Sequence, residues 1–310
     1  MDAAAKNSTK GIIMGVLSGM FYGCTPILIV GTTAGGGITG PGCLMLRYFL
    51  TSIFLLPFAV RSYKREPINR KTALQVVVAG LLMACTASAL YISYRWLTAG
   101  IGMAITYLYP VLVLLGGRIF FKRAASRSMV LAVIMCLLAV VFLASFDEEA
   151  LAAGAWKGVI LTIGSAVAYA AFLMWNDEKK LGRVSTILFT EIMTASCGFF
   201  IFLYNLGIGG LHYRLTLIDW LRIAAVGVIG PLASGTQIVA IKHVGAMYTS
   251  ILATLELVIC CLGSALILHE PFGVKAAIGT VLMIVATILV TVDSGRKHEE
   301  KTEFTKREDI

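Results

Sequence analysis

The stretch Lys10–Val30, KGIIMGVLSGMFYGCTPILIV, returns in altered form at Lys157–Asp177, KGVILTIGSAVAYAAFLMWND. The displacement is 147 residues, and it continues without a gap beyond this stretch. Ser18 falls on Ser165 and Tyr22 on Tyr169; Gly80 falls on Gly227, and Arg95 stands opposite Lys242. The run Pro110–Leu143 tracks the run Leu257–Val290. Self-similarity at one fixed offset is the mark of an internal duplication.

The composition says what was duplicated. Of 310 residues, 58% are hydrophobic and only 14% charged, and the mean hydropathy is +0.86. Soluble domains carry about a quarter charged residues, so a core this apolar would leave nothing to cover its surface. The chain reads as a polytopic membrane protein. Ten apolar runs, at 11–30, 42–60, 73–94, 100–121, 128–146, 157–175, 185–205, 220–241, 246–268 and 273–292, are each near the length that spans a bilayer. They lack strand-like alternation, and a spanning segment must satisfy its own backbone, so the runs are expected as helices. The expected fold is therefore an all-α membrane protein of ten transmembrane helices. Five spans per half is an odd number, which inverts the second copy relative to the first; inverted repeats around a central cavity are the architecture of alternating access. The organisation follows: residues 1–150 as the first five-helix repeat, 151–293 as the second, and 294–310 as a charged, disordered cytoplasmic tail.

The net charge of +9 does not form a basic stripe with interleaved aromatics, so nucleic acid is not an expected partner. Lys and Arg gather instead in short gaps between the apolar runs. With a cytoplasmic N-terminus, nineteen basic residues fall inside and five outside, which puts both termini in the cytoplasm of a cell inner (plasma) membrane protein. The acidic cluster Asp147, Glu148, Glu149 then faces outward. Trp96, Trp156 and Trp220 fall at span ends, where the headgroup zone anchors such rings. The seven cysteines form no C-x-x-C and no Cys/His metal spacing, and read as small buried apolar groups. The histidines at 212, 243, 269 and 298 pair with no nucleophile, and no G-x-x-x-x-G-K-[ST] motif occurs. Neither an enzyme nor a bound cofactor is expected.

Several segments resemble the EamA family of the drug/metabolite transporter superfamily. Ala240-Ile241-Lys242-His243-Val244-Gly245-Ala246 looks like the family's link between the third and fourth helices of a repeat. Glu256-Leu257-Val258 stands where the family has Glu-Pro-Val, and His269-Glu270 where it has Gly-Glu. Gly279 and Leu282 fit the last helix. In the first half Tyr109-Pro110-Val111 keeps the proline without the glutamate, Lys122-Arg123 replaces the terminal glutamate, and Phe21-Tyr22-Gly23 resembles an aromatic–Gly pair. The resemblance, from about Gly11 to Val292, implies two inverted five-helix repeats, a central substrate cavity and transport of a small molecule. Export as the direction rests on this resemblance alone.

Ionisable groups inside the hydrocarbon mark a pathway or a pair. Glu256 falls ten residues into the ninth span, too deep for so short a side chain to reach water. It could bind a cationic group or exchange a proton, or it could be a protonated acid bonded to helix backbone. Arg47 and Glu191 lie near opposite ends of the corresponding second and seventh spans. Arg47 could snorkel or hold a carboxylate or phosphate in its planar fork; Glu191 could sit hydrated at the inner mouth or line the cavity. Tyr22 and Tyr169 are repeat mates, and Tyr91 and Tyr94 stand on the third span; rings grouped near a carboxylate form a cation–π cage. Trp175, beside Asn176 and Asp177, is either belt or cavity wall, and Gln237 is a polar group able to orient a ligand. Gly11, Gly15, Gly19 and Gly23 recur every four residues, a face for close helix packing.

The expected function is secondary active transport of a small organic metabolite, an amino acid or related amine, by export, with the proton as one expected coupling partner. Uptake or exchange of a quaternary ammonium, nucleoside-like or phosphorylated metabolite is the alternative; an intramembrane enzyme or a non-transporting scaffold is the alternative of another class. The bilayer is the other partner, and the chain is expected as a monomer or homodimer.

Overall fold

The computed structural model describes residues 3–33, 37–97, 99–123, 125–143, 155–207, 213–267 and 273–308. The described residues are helical apart from short turns. In chain order the helices are α1 (Ala3–Thr33), α2 (Gly40–Arg65), α3 (Arg70–Ser93), α4 (Ala99–Thr106), α5 (Tyr109–Phe121), α6 (Arg127–Leu143), α7 (Ala155–Glu178), α8 (Thr186–Gly207), α9 (Leu217–Ala253), α10 (Leu255–Ile267) and α11 (Val274–Glu308). A 3-10 turn at Leu181–Arg183 links α7 to α8. Among these, five stretches are both long and apolar enough to cross a membrane: α2, α3, α7, α8 and Leu217–Cys260.

Local chemistry sets the ends. Thr39 and Asn69 cap α2 and α3 by accepting from Gly42 and Thr72 backbone N–H groups. Thr216 and Asp219 form a reciprocal capping box at the start of α9. The Thr216 hydroxyl and backbone N–H both donate to the Asp219 carboxylate, at 2.7 and 3.0 Å.

The fourth expected span, 100–121, is split into α4 and α5, with Pro110 in the first turn of α5. The ninth, 246–268, is interrupted at Thr254, between α9 and α10. The two interruptions, at Tyr107–Leu108 and Thr254, coincide under the 147-residue offset. A kink at Gly245 (φ 82°, ψ 170°) separates the ninth from the eighth span within α9. A side chain is strained at that φ, which explains the glycine in the Val244-Gly245-Ala246 link.

Cross-repeat contacts exchange partners as an isologous interface does. The Ser18 hydroxyl donates to the Ala233 carbonyl, and its mate Ser165 donates to the carbonyl of Thr86, the mate of Ala233. Gly11 lies against Val244, and Gly158 against Leu97. Thus α1 packs on α9 as α7 packs on α3, with α2 on α8 and α6 on α11.

Helix α11 runs on to Glu308, through the stretch from Ser294 expected to be disordered, and no proline interrupts it. The acidic cluster at 147–149 and the His269-Glu270 pair lie outside the described residues.

Candidate functional site

Helices α1, α2, α3, α8 and α9 converge on a small cleft lined by Tyr22, Arg47, Tyr48, Thr51, Met83, Met193, Thr194, Gly230 and Ser234. Under the repeat offset Arg47 pairs with Thr194 and Met83 with Gly230, so the cleft lies where the two repeats meet.

Proline shapes the cleft's wall. Pro231 in α9 has no N–H for the Gly227 carbonyl four residues back. The Thr51 hydroxyl of α2 donates to that carbonyl at 2.8 Å. A backbone group that lipid could not satisfy is thereby paired, and α2 is pinned to α9 one turn from Arg47. Ser234 donates to the Gly230 carbonyl at 2.9 Å.

Arg47 is 7% exposed. Its guanidinium carbon stands 4.9 Å from the Tyr48 ring centroid, and Gly230 leaves space beside Nε and Nη2: a Cβ there would be 3.6 Å from each. The Nε has no hydrogen-bond partner. Among the described residues no carboxylate lies within the 4.0 Å of an ion pair with Arg47. Glu256, in the first turn of α10, acts on Arg47 electrostatically without closing a pair. Amide N–H groups at a helix start favour negative charge there. The back of Glu256 is held by α1: a Cβ added at Gly23 would lie 2.6 Å from the Glu256 carbonyl oxygen.

Tyrosines fill the space around this pair. Tyr22 is in electrostatic reach of both Arg47 and Glu256, and Tyr169 of both Tyr22 and Glu256. Gln237 Nε2 donates to the Tyr169 hydroxyl at 2.6 Å, while its Oε1 is buried without a partner. The Tyr109 and Tyr169 rings meet edge to face at 4.7 Å, and Tyr91 and Tyr94 at 5.5 Å. The buried hydroxyls of Tyr107 and Tyr109 have no partner.

The structure therefore gathers Tyr22, Arg47, Tyr91, Tyr94, Tyr169, Gln237 and Glu256 into one neighbourhood. Two expected residues brace helices instead, one outside this neighbourhood and one at its edge. Trp175 donates from Nε1 to the Gln75 carbonyl at 2.9 Å and lies under Lys179, bracing α7 to α3. Glu191, 6% exposed, accepts from the Ser52 hydroxyl at 2.6 Å and ties α2 to α8 beside the cleft; its Oε2 is buried without a donor. Sequence reasoning missed Tyr48, Thr51, Met83, Met193, Thr194 and Ser234. The offset alone points to Thr194, the mate of Arg47, but no sequence signal marks the others.

A second polar group sits between α5, α7 and the Gly245 kink. Asp177 Oδ2 accepts the Ala246 backbone N–H at 3.0 Å and pairs with Arg123, which also reaches Glu178 at 3.5 Å. Asp293 accepts from Ser126 and Tyr248 at 2.7 and 2.8 Å.

The model of the EamA-like transporter family matches residues 9–145 and again 156–292. The chain belongs to the EamA-like transporter family. Two matches in one chain are the duplication seen at the 147-residue offset, and the chain is a multi-pass membrane protein of the transporter class. A curated relative, the uncharacterized transporter YxxF of Bacillus subtilis (strain 168), is 24% identical over 188 residues, which is 60% of this chain. The match spans 58% of that relative's length. A solved crystal structure of a protein superposes with a TM-score of 0.74 at 15% identity, over 92% of this chain and 98% of the other. That likeness establishes the fold alone.

Proposed function

We propose that this EamA-like protein is a secondary active transporter that moves an amino acid or related amine across the membrane by alternating access. Ten spans, counting α4–α5 as one, dividing α9 at Gly245 and joining its second part to α10, form two inverted five-helix repeats with both termini in the cytoplasm. The observation that carries this reading is the polar cleft at the meeting of the repeats. An arginine, a carboxylate and a ring of tyrosines are held inside a bundle whose outer faces are apolar. Groups so costly at that depth are retained for a passing solute, and helix interruptions beside the site are how such folds offer polar backbone to it.

Glu256 is the residue for the ammonium group or for an exchanged proton, with the tyrosines completing a cage. Export is the direction the family resemblance favours. In proteoliposomes, preloaded amino acid should leave down an imposed gradient faster than from protein-free vesicles. Equal efflux across a panel of amino acids and amines overturns the reading.

A further inference from the structure

We infer that Arg47 is the anion subsite of the cleft and that the transported solute carries a carboxylate beside its ammonium group. The inference deepens the transport reading and rests on it.

Arg47 is deeply buried, makes no ion pair among the described residues, and leaves Nε without an acceptor. An unpaired buried charge is strongly destabilising, and the contact the guanidinium does make is with the face of the Tyr48 ring. Three neighbouring hydroxyl hydrogens are already committed: Thr51 donates to Gly227, Ser234 to Gly230, and Thr194 to the carbonyls of Thr190 and Glu191. The fork of Arg47 is thus the cationic donor among the residues lining the cleft, and its planar geometry matches a carboxylate with two parallel hydrogen bonds.

Charge balance selects among anions. Glu256 stands within electrostatic reach of Arg47 yet does not neutralise it by contact. A zwitterion satisfies both, its carboxylate on Arg47 and its ammonium towards Glu256. A bare amine leaves the guanidinium unpaired, and a phosphate dianion leaves excess negative charge beside Glu256. Met83 and Met193, with Tyr22 and Tyr48, supply an adaptable apolar wall for the solute's side chain.

The test uses the full-length detergent-purified protein and matched triplets built on glycine, leucine and phenylalanine. Each triplet holds the amino acid, the acid lacking the amine, and the amine lacking the acid; inorganic phosphate is added at matched ionic strength. Ligand-dependent melting gives apparent affinities. At least one amino acid is expected to stabilise, its acid analogue to bind more weakly, and its amine and phosphate to give no shift. Arg47→Gln should weaken the amino acid by about tenfold or more, the scale of a lost charged hydrogen bond, while Arg47→Lys retains part of the affinity. An amine as effective as its amino acid, phosphate stronger than every carboxylate, or no shift from any triplet overturns the inference. The wild-type series needs no variant, so a misfolded substitution does not spare it. Flux of a bare amine at the amino-acid rate would sink the carboxylate requirement and leave transport standing; carboxylate binding without any flux would do the reverse.

Discussion

Replacing Gly23 by alanine isolates how closely α1 must approach α10. The added Cβ would lie 2.6 Å from the Glu256 carbonyl oxygen and 2.7 Å from the Ile259 Cβ. The first contact is backbone, so no side-chain rotation relieves it, and α1 and α10 must separate. Forcing extra atoms into a packed site typically costs about 1–3 kcal/mol. Alanine recovers about 0.5–1 kcal/mol relative to glycine in a helix, leaving a net loss centred near about 1 kcal/mol and reaching about 2.5 kcal/mol. Gly164, on α7, is the internal control: nothing lies within 4 Å of its added Cβ, so Gly164→Ala should gain about 0.5–1 kcal/mol from the same propensity. Both would be read from melting of the purified protein in one detergent, where roughly 2–4 °C per kcal/mol is the scale for large domains. Gly23→Ala should melt lower and Gly164→Ala slightly higher than wild type, with ligand-dependent stabilisation reduced only in the former. Equal shifts of the two variants would refute the close approach, because propensity alone would then explain both.

Asp177 does two jobs that two substitutions separate. Asp177→Asn keeps an acceptor for the Ala246 N–H but loses the Arg123 charge, and should cost up to about 1 kcal/mol, the range of exposed ion pairs. Asp177→Ala also removes the cap, adding about 1 kcal/mol; identical melting of the two variants would show that Asp177 does not cap the helix at the Gly245 kink. For topology, a cysteine at Thr33 should label from outside intact cells, and one at Asn69 only after permeabilisation. The reverse pattern would invert the proposed orientation.

The duplication was legible because it is written in residue identity. Ser18 and Ser165 are both serine, and each makes the equivalent bond to the other repeat. The four-residue glycine spacing likewise announced the α1 face that meets α9 and α10, since only close backbone approach demands it. The company of Arg47 was not legible. Its neighbours Tyr48, Thr51 and Ser234 are ordinary membrane-helix residues, and the role of Thr51 depends on Pro231 freeing one carbonyl on another helix. Trp175 shows the converse, a residue whose polar handle could have faced a cavity but reaches a backbone carbonyl of α3 instead. For the stretch after Ser294, net polarity argues for disorder while local helix propensity argues against it, and composition alone does not weigh the two.

The most direct test of the account is the pH dependence of amino-acid flux in proteoliposomes carrying wild-type protein or Glu256→Gln. A carboxylate that binds the ammonium or exchanges a proton makes wild-type flux vary with pH, and the glutamine variant should lose flux or its pH dependence. Wild-type and Glu256→Gln vesicles with the same flux at every pH would contradict the placement of solute or proton at the meeting of the two repeats.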